Sequence, residues 1–208
     1  MIPKSLAFLA VAAALAALSV GASAASMQGL KLNNAPTKLG PGGGPPRYVF
    51  TVSSFTITKT RALHQDTDYV VAGLTGQPNQ VKAMGDLNNG TYQAGVSLTA
   101  GVPDGSSQTF TYYIINSSDP LSAVNSFLRE AALDVGQNFG LNLTGILPGG
   151  CDGIVAKGRH TLTAADLAAG TAGGRVIEAT DMTNGTDSAT GCGSNSRYSV
   201  RWTVAAAP

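Results

Sequence analysis

The chain has 208 residues, a formal net charge of +1, and charged side chains at only 12% of its positions. So few charges, almost balanced, give no basic surface for nucleic acid or for an anionic membrane, and neither partner is expected. The length suits one domain with a flexible arm.

Residues 1–24 have the pattern of a cleavable export signal. Lys4 precedes an apolar run from Leu6 to Val20, and Ala22-Ser23-Ala24 is a small-residue cleavage site. The apolar run is short for a bilayer span, and no later run could cross a membrane. We therefore expect a secreted or periplasmic, soluble protein. Removing this segment removes Lys4 and leaves 12 basic and 12 acidic side chains.

Residues 25–47 are predicted to form a Gly/Pro-rich flexible arm, and the sequence predicts a single domain at residues 48–208. Its first predicted strand, Tyr48–Thr58, changes phase at Ser53-Ser54. A β-bulge at that point would keep four large apolar side chains on the inner face. These are Phe50, Val52, Phe55 and Ile57.

Next come the predicted strand Asp68–Leu74 and a predicted β-hairpin over Val81–Leu98. Asn89-Gly90 is the dipeptide that a two-residue type I′ turn favours. Folding the chain there places Leu87 opposite Tyr92, and apolar residues face one another along one side of the pair. Asp86 falls on the solvent side of this predicted hairpin.

Thr109–Asn116 is apolar on both faces, which is typical of a central strand that is covered from both sides. Asp119-Pro120 then favours a helix start, because Asp is a good N-cap and Pro is tolerated at the first helical position. Apolar residues recur at helical spacing from Leu121 to Val135, which predicts one amphipathic helix ending at Gly136 or Gly140.

The remaining chain supplies further short elements. Thr163 and Asp166 have the spacing of a capping box, which predicts one or two helical turns. Val176–Thr180 is a weak strand, Asp181–Ser196 is a long polar loop, and Tyr198–Val204 alternates as a clear strand. The predicted fold class is therefore mainly β: a single antiparallel β-sandwich of about seven or eight strands with one inserted amphipathic α-helix.

The two cysteines of the chain are Cys151 and Cys192. In an exported protein the default expectation is one disulfide between them. The alternative is a pair of free, buried thiols.

His64, Asp66 and Asp68 belong to the densest polar stretch, where a loop runs into a strand. Two carboxylates at i and i+2 can share a hard cation if other loops supply further oxygens, which predicts a weak calcium site. The alternative is that both aspartates only cap a turn. The candidate donors from other loops are Asp104, Asp152, Asp181 and Asp187.

An enzyme is less expected than a binding protein, although a secreted hydrolase using His64 as a general base with loop carboxylates is an alternative. The sequence has no nucleophile elbow and no zinc-ligand spacing. His160 follows Gly158-Arg159 and is predicted to be a surface turn residue.

The favoured function is binding of an unidentified ligand, a glycan or a protein, by a monomer. The loops Arg61–Tyr69, Pro103–Ser106 and Asp181–Ser196 would form the binding rim. A structural component of the cell envelope or surface is a further alternative. The candidate rim side chains are His64, Tyr69, Asp104, Asp181 and Asp187.

Overall fold

The computed structural model describes residues 43–61, 66–117, 120–122, 124, 153–184 and 196–208. These residues belong to one compact unit, Ala35–Pro208. Within them, besides the helical residues Leu121, Ser122 and Val124, eight strands, one short α-helix and one 3₁₀ turn (Ala172–Gly174) follow one another along the chain. The strands and the short helix are β1 (Arg47–Lys59), β2 (Asp66–Leu74), β3 (Gln80–Leu87), β4 (Gly90–Gly101), β5 (Ser107–Asn116), β6 (Gly153–Thr163), the short helix (Ala164–Thr171), β7 (Val176–Asn184) and β8 (Arg197–Ala206).

The strands form two four-stranded antiparallel sheets. The first sheet has the order β4-β1-β8-β7, and the second has the order β3-β2-β5-β6. Buried apolar side chains from both sheets form one core cluster between them. The predicted fold class, an antiparallel β-sandwich, is confirmed.

β1 carries the predicted bulge. Its pairing with β8 shifts register between Val52 and Ser54, so that Ser53 is the extra residue. Because of this shift the alternation changes phase, and the four large apolar side chains of β1 all point into the core. Phe50, Val52, Phe55 and Ile57 are at most 1% exposed.

The predicted hairpin is wrong, because β3 and β4 lie in different sheets. β3 pairs with β2, and β4 pairs with β1. The segment around Asn89-Gly90 therefore connects the sheets instead of closing a two-strand ladder. Apolar residues at matching positions can face one another across a sandwich as well as within a sheet, so the pattern alone did not distinguish the two. Asp86 is exposed, as predicted.

β5 is a central strand, as predicted, with β2 on one side and β6 on the other. Tyr112 and Ile114 point into the core cluster, and Tyr113 and Ile115 are buried on the opposite face. Leu121, Ser122 and Val124 are helical. The rest of the amphipathic helix predicted after Asp119-Pro120 lies outside the described residues.

The short helix begins with the predicted capping box. The side chain of Thr163 accepts a hydrogen bond from the backbone N–H of Asp166 at 3.1 Å, and the Asp166 carboxylate accepts one from the backbone N–H of Thr163 at 3.0 Å. β7 then runs to Asn184, so the prediction that a loop begins at Asp181 is wrong. β8 alternates as predicted, with Tyr198, Val200 and Trp202 buried.

Candidate functional site

One end of the sandwich gathers the loop junction that the sequence singled out. β1 ends there at Lys59, β2 begins at Asp66 and β8 begins at Arg197, which pairs with Lys59. Asp66 and Asp68 are two residues apart on β2, so both carboxylates point to the same face of the strand. Both are fully buried, with 0% exposure.

The hydroxyl of Tyr198 joins the two carboxylates. Its oxygen lies 2.8 Å from Oδ2 of Asp66 and 2.9 Å from Oδ2 of Asp68. Asp66 Oδ2 also accepts a hydrogen bond of 2.7 Å from the backbone N–H of Arg61. A tyrosine hydroxyl has a single proton to donate, so it cannot satisfy both carboxylates at once. A proton on Asp68 would let that acid donate to the Tyr198 oxygen instead.

The electrostatics of Asp68 agree with this shortage of donors. Burial raises the pKa of Asp68 to about 8; the hydrogen bond from Tyr198 opposes the shift, the neighbouring charge of Asp66 adds to it, and Arg61 lowers it. The pKa of Tyr198 is raised as well, by burial and by both carboxylates. The arrangement therefore favours a protonated Asp68 at neutral pH.

One oxygen of this cluster has no hydrogen-bond partner among the described residues. Asp68 Oδ1 is buried and makes no hydrogen bond within the described part of the chain. Asn116 lies directly opposite Asp68 in the ladder between β2 and β5, and directly opposed side chains share a face. The guanidinium of nearby Arg61 is also buried, with its Nη2 3.5 Å from the carbonyl oxygen of Ile154.

The described residues contain no group of three or more His, Cys, Asp or Glu side chains placed to hold a metal ion. Asp104, a predicted calcium donor, is exposed in the turn between β4 and β5, at the opposite end of the sandwich. Asp181, another predicted donor, bonds to different partners on β5 and β6. The remaining predicted donors, Asp152 and Asp187, lie outside the described residues.

A second polar cluster lies between β6 and β7, where the two sheets end on the same side of the sandwich. Asp181 Oδ2 accepts a hydrogen bond of 2.6 Å from the hydroxyl of Tyr112. The same oxygen lies 2.7 Å from Nε2 of His160. The imidazole also packs against Trp202, with 4.2 Å between ring centroids. The cluster thus connects the edge strands of the two sheets.

The carboxylate of Asp181 has several hydrogen-bond donors around it. Burial raises its pKa, but hydrogen bonds from His160 and Tyr112 and the charge of His160 outweigh burial, so its pKa is lowered overall. The indole of Trp202 acts in the same direction, although its Nε1 makes no hydrogen bond of normal geometry with the described residues. The ionised carboxylate is therefore the favoured form of Asp181 at neutral pH.

The prediction that His160 is a surface turn residue is wrong, because it lies on β6 opposite Phe110. The error came from treating Gly158 as a turn. A Cβ at Gly158 would lie 2.3 Å from Cε1 of Tyr112, so the glycine makes room for the ring. Ala156 and Leu162 are buried at the same strand parity as His160, and that alternation was the signal that could have placed His160 inward.

The predicted binding rim is not assembled among the described residues. Tyr69 is buried on β2, only 5% exposed, and is therefore not available as a contact for a glycan. Asp104 lies in the turn between β4 and β5, and Asp181 lies on β7 beside Tyr112 and His160. His64 and Asp187 lie outside the described residues, as do Cys151 and Cys192, so the predicted disulfide stays a prediction.

No protein-family model matches the chain, and no curated protein matches it in sequence. Among solved structures, the chain is similar to a C2 domain of plant extended synaptotagmin 1, at 8% identity and a TM-score of 0.45, over 79% of this chain and 96% of that one. Human GIVD cytosolic phospholipase A2 gives 9% identity and a TM-score of 0.40, over 78% of this chain and 18% of that one. A C2 domain protein from Ramazzottius varieornatus gives 10% and 0.38, over 78% and 89%.

These similarities are in fold alone. In the part of the chain that the structure describes, no helix is long and apolar enough to cross a membrane.

Proposed function

We propose that the chain is an exported binding domain whose Asp66/Asp68 end takes up calcium weakly as part of ligand binding. The Cys151–Cys192 disulfide belongs to this proposal, since an oxidising compartment would favour it. The ligand itself, a glycan or a protein, would meet the loops at this end of the sandwich.

The observation that supports calcium is the buried carboxyl of Asp68. Its Oδ1 has no hydrogen-bond partner within the described residues, and burial beside Asp66 raises its pKa to about 8. A carboxylate that is difficult to ionise because it is buried gains from a cation, since the cation replaces the proton and supplies a positive charge beside it. Asp66 would be the second carboxylate ligand.

Arg61 limits the strength of such a site. Its buried guanidinium already lowers the pKa of Asp68, so part of the negative charge is balanced before any cation binds. Calcium would need further oxygen ligands to reach six to eight, and carbonyl, amide and hydroxyl oxygens are suitable for that role. Binding in the weak range of extracellular calcium modules, with Kd of about 10⁻⁴–10⁻³ M, is what we expect.

A thermal melt of the mature chain in calcium and in EDTA tests the proposal. At roughly 2 mM calcium, this affinity gives about 0.7–1.8 kcal/mol of added stability. That corresponds to a rise in Tm of a few degrees, at about 2–4 °C per kcal/mol. The rise should be larger near pH 8 than near pH 6, because calcium competes with the proton on Asp68.

Two variants test whether the calcium shift depends on Asp66 and Asp68. The double change Asp66→Asn/Asp68→Asn should abolish the calcium shift. Asp86→Asn is the matched control, because Asp86 lies on neighbouring β3 but is exposed and bonds to Thr67. A wild-type melt that ignores calcium, or a shift that survives the double change, would show that the carboxylate pair only fastens the two sheets.

A further inference from the structure

β7 is an edge strand with unusual apolar exposure. It pairs with β8 alone among the described strands, at the end of the first sheet. The two exposed large hydrophobic side chains of the described residues both lie on it: Val176 is 51% exposed and Met182 is 78% exposed. They are six residues apart, so they project from the same face of the strand. A partner that covers both side chains would therefore have to extend along β7.

The other three edge strands are interrupted by an extra residue, and β7 is not. Register shifts break the ladders that β4, β3 and β6 form with their neighbours. In β3 and β4 the irregularity coincides with Gly85 and Gly95, which have φ of 78° and 63°. Such bulges twist an edge away from further strand pairing. β7 pairs with β8 without a shift from Val176 to Asn184 and contains no proline, glycine or lysine.

The sequence of β7 is self-complementary in one antiparallel register. With Ala179 opposite Ala179 of a second copy, Val176 faces Met182 twice and Glu178 faces Thr180. Registers centred on Glu178 or Asp181 would place identical acids opposite each other, which is destabilising. A register centred on Thr180 would place Glu178 opposite Met182. The Ala179 register gives both exposed apolar side chains of each copy an apolar partner across the pair.

We propose that β7 pairs antiparallel with β7 of a second copy, in the register centred on Ala179. The first sheets of the two copies then form one continuous eight-stranded sheet across a twofold axis. Backbone hydrogen bonds along the edge supply affinity, and the two Val176–Met182 contacts supply register. Without residues 1–24 the chain has 12 basic and 12 acidic side chains, so net charge gives no repulsion between the copies.

Sedimentation velocity of the mature chain, over a roughly hundredfold range of concentration, tests this dimer. The wild type should change from monomer to dimer as concentration rises. Met182→Lys should raise the dissociation constant at least about tenfold, because the change enters a twofold interface twice. Gln93→Lys, an exposed position on the opposite edge strand of the same sheet, should leave the constant unchanged. A wild type that stays monomeric, or equal effects of the two lysines, would overturn the proposal.

Cross-linking tests the register. Directly opposed residues in an antiparallel pair have Cα atoms about 4.5–5.5 Å apart, which suits a disulfide. Oxidation of Ala179→Cys should therefore give a covalent dimer, whereas Thr180→Cys and the wild type with its own cysteines should not. Efficient cross-linking of Thr180→Cys in place of Ala179→Cys would overturn the Ala179 register.

Discussion

Two polar clusters connect the sheets, and they differ in how many donors each carboxylate receives. Asp68 shares the single hydroxyl proton of Tyr198 with Asp66, which also accepts from the backbone N–H of Arg61, whereas Asp181 is bonded to both His160 and Tyr112. Burial raises the pKa in both places, yet the pKa of Asp68 is raised to about 8 and that of Asp181 is lowered. Asp68 is fully buried and Asp181 is 24% exposed, so burial and the number of donors act together: both favour a neutral Asp68 and an ionised Asp181.

The largest expected effect comes from removing the shared donor. Tyr198→Phe should lower the free energy of unfolding by about 3 kcal/mol, because it leaves two buried carboxyls without the hydroxyl. Tyr112→Phe should cost only about 1 kcal/mol. Asp181 keeps its bond to His160 and is 24% exposed, so water can replace the lost donor.

Denaturant titrations near pH 7 measure both changes. The two substitutions remove the same atom from buried tyrosines on central strands, so each serves as a control for the other. Equal losses would mean that the number of donors per carboxylate does not set the cost.

The second expected effect is a pH dependence of opposite sign in the two clusters. Because the folded pKa of Asp68 is raised, the native state keeps a proton that the unfolded chain has lost above about pH 4. Stability from Asp68 is therefore fully present below that pH and falls as pH rises towards 8. The folded pKa of Asp181 is lowered, so its contribution is present above the unfolded pKa and is lost as pH falls through the folded value.

Asp68→Asn removes the first dependence. In EDTA, the stability of the wild type relative to this variant should fall by on the order of 1 kcal/mol per pH unit between about pH 5 and 7. Asp181→Asn, compared in the same way, should show its change below about pH 4 instead. Urea midpoints across this range measure both. A flat difference for Asp68→Asn would mean that Asp68 is ionised in the folded protein.

The fold class could be predicted because period-two alternation and bulges are local properties of the sequence. The phase change at Ser53-Ser54 and the alternation from Tyr198 to Val204 both identified core faces that the structure confirms. Strand pairing could not be predicted in the same way. β3 and β4 have matching apolar patterns and a turn sequence between them, but their hydrogen-bonding partners, β2 and β1, are chosen by the whole sandwich.

The candidate site was predicted only in part, for a related reason. Asp66 and Asp68 could be predicted as a pair because they are close in sequence, yet their partner Tyr198 is 130 residues or more away. The Tyr112–His160–Asp181 cluster combines three strands and has no local motif at all. Distant contacts of this kind depend on register and on the space above Gly158, which no short motif encodes.

The smallest expected effect concerns an exposed acid on β7. Glu178 accepts two hydrogen bonds from Arg201, of 2.7 and 2.5 Å, and its pKa is lowered by that contact. Both side chains are about half exposed, so water and salt screen the pair and compete for its hydrogen bonds.

Glu178→Gln should therefore leave the denaturant midpoint unchanged at physiological salt. Asp181→Asn, three positions along the strand, should lower it measurably, because the less exposed Asp181 bonds to both Tyr112 and His160. A loss from Glu178→Gln as large as that from Asp181→Asn would show that solvent exposure does not separate these two acids.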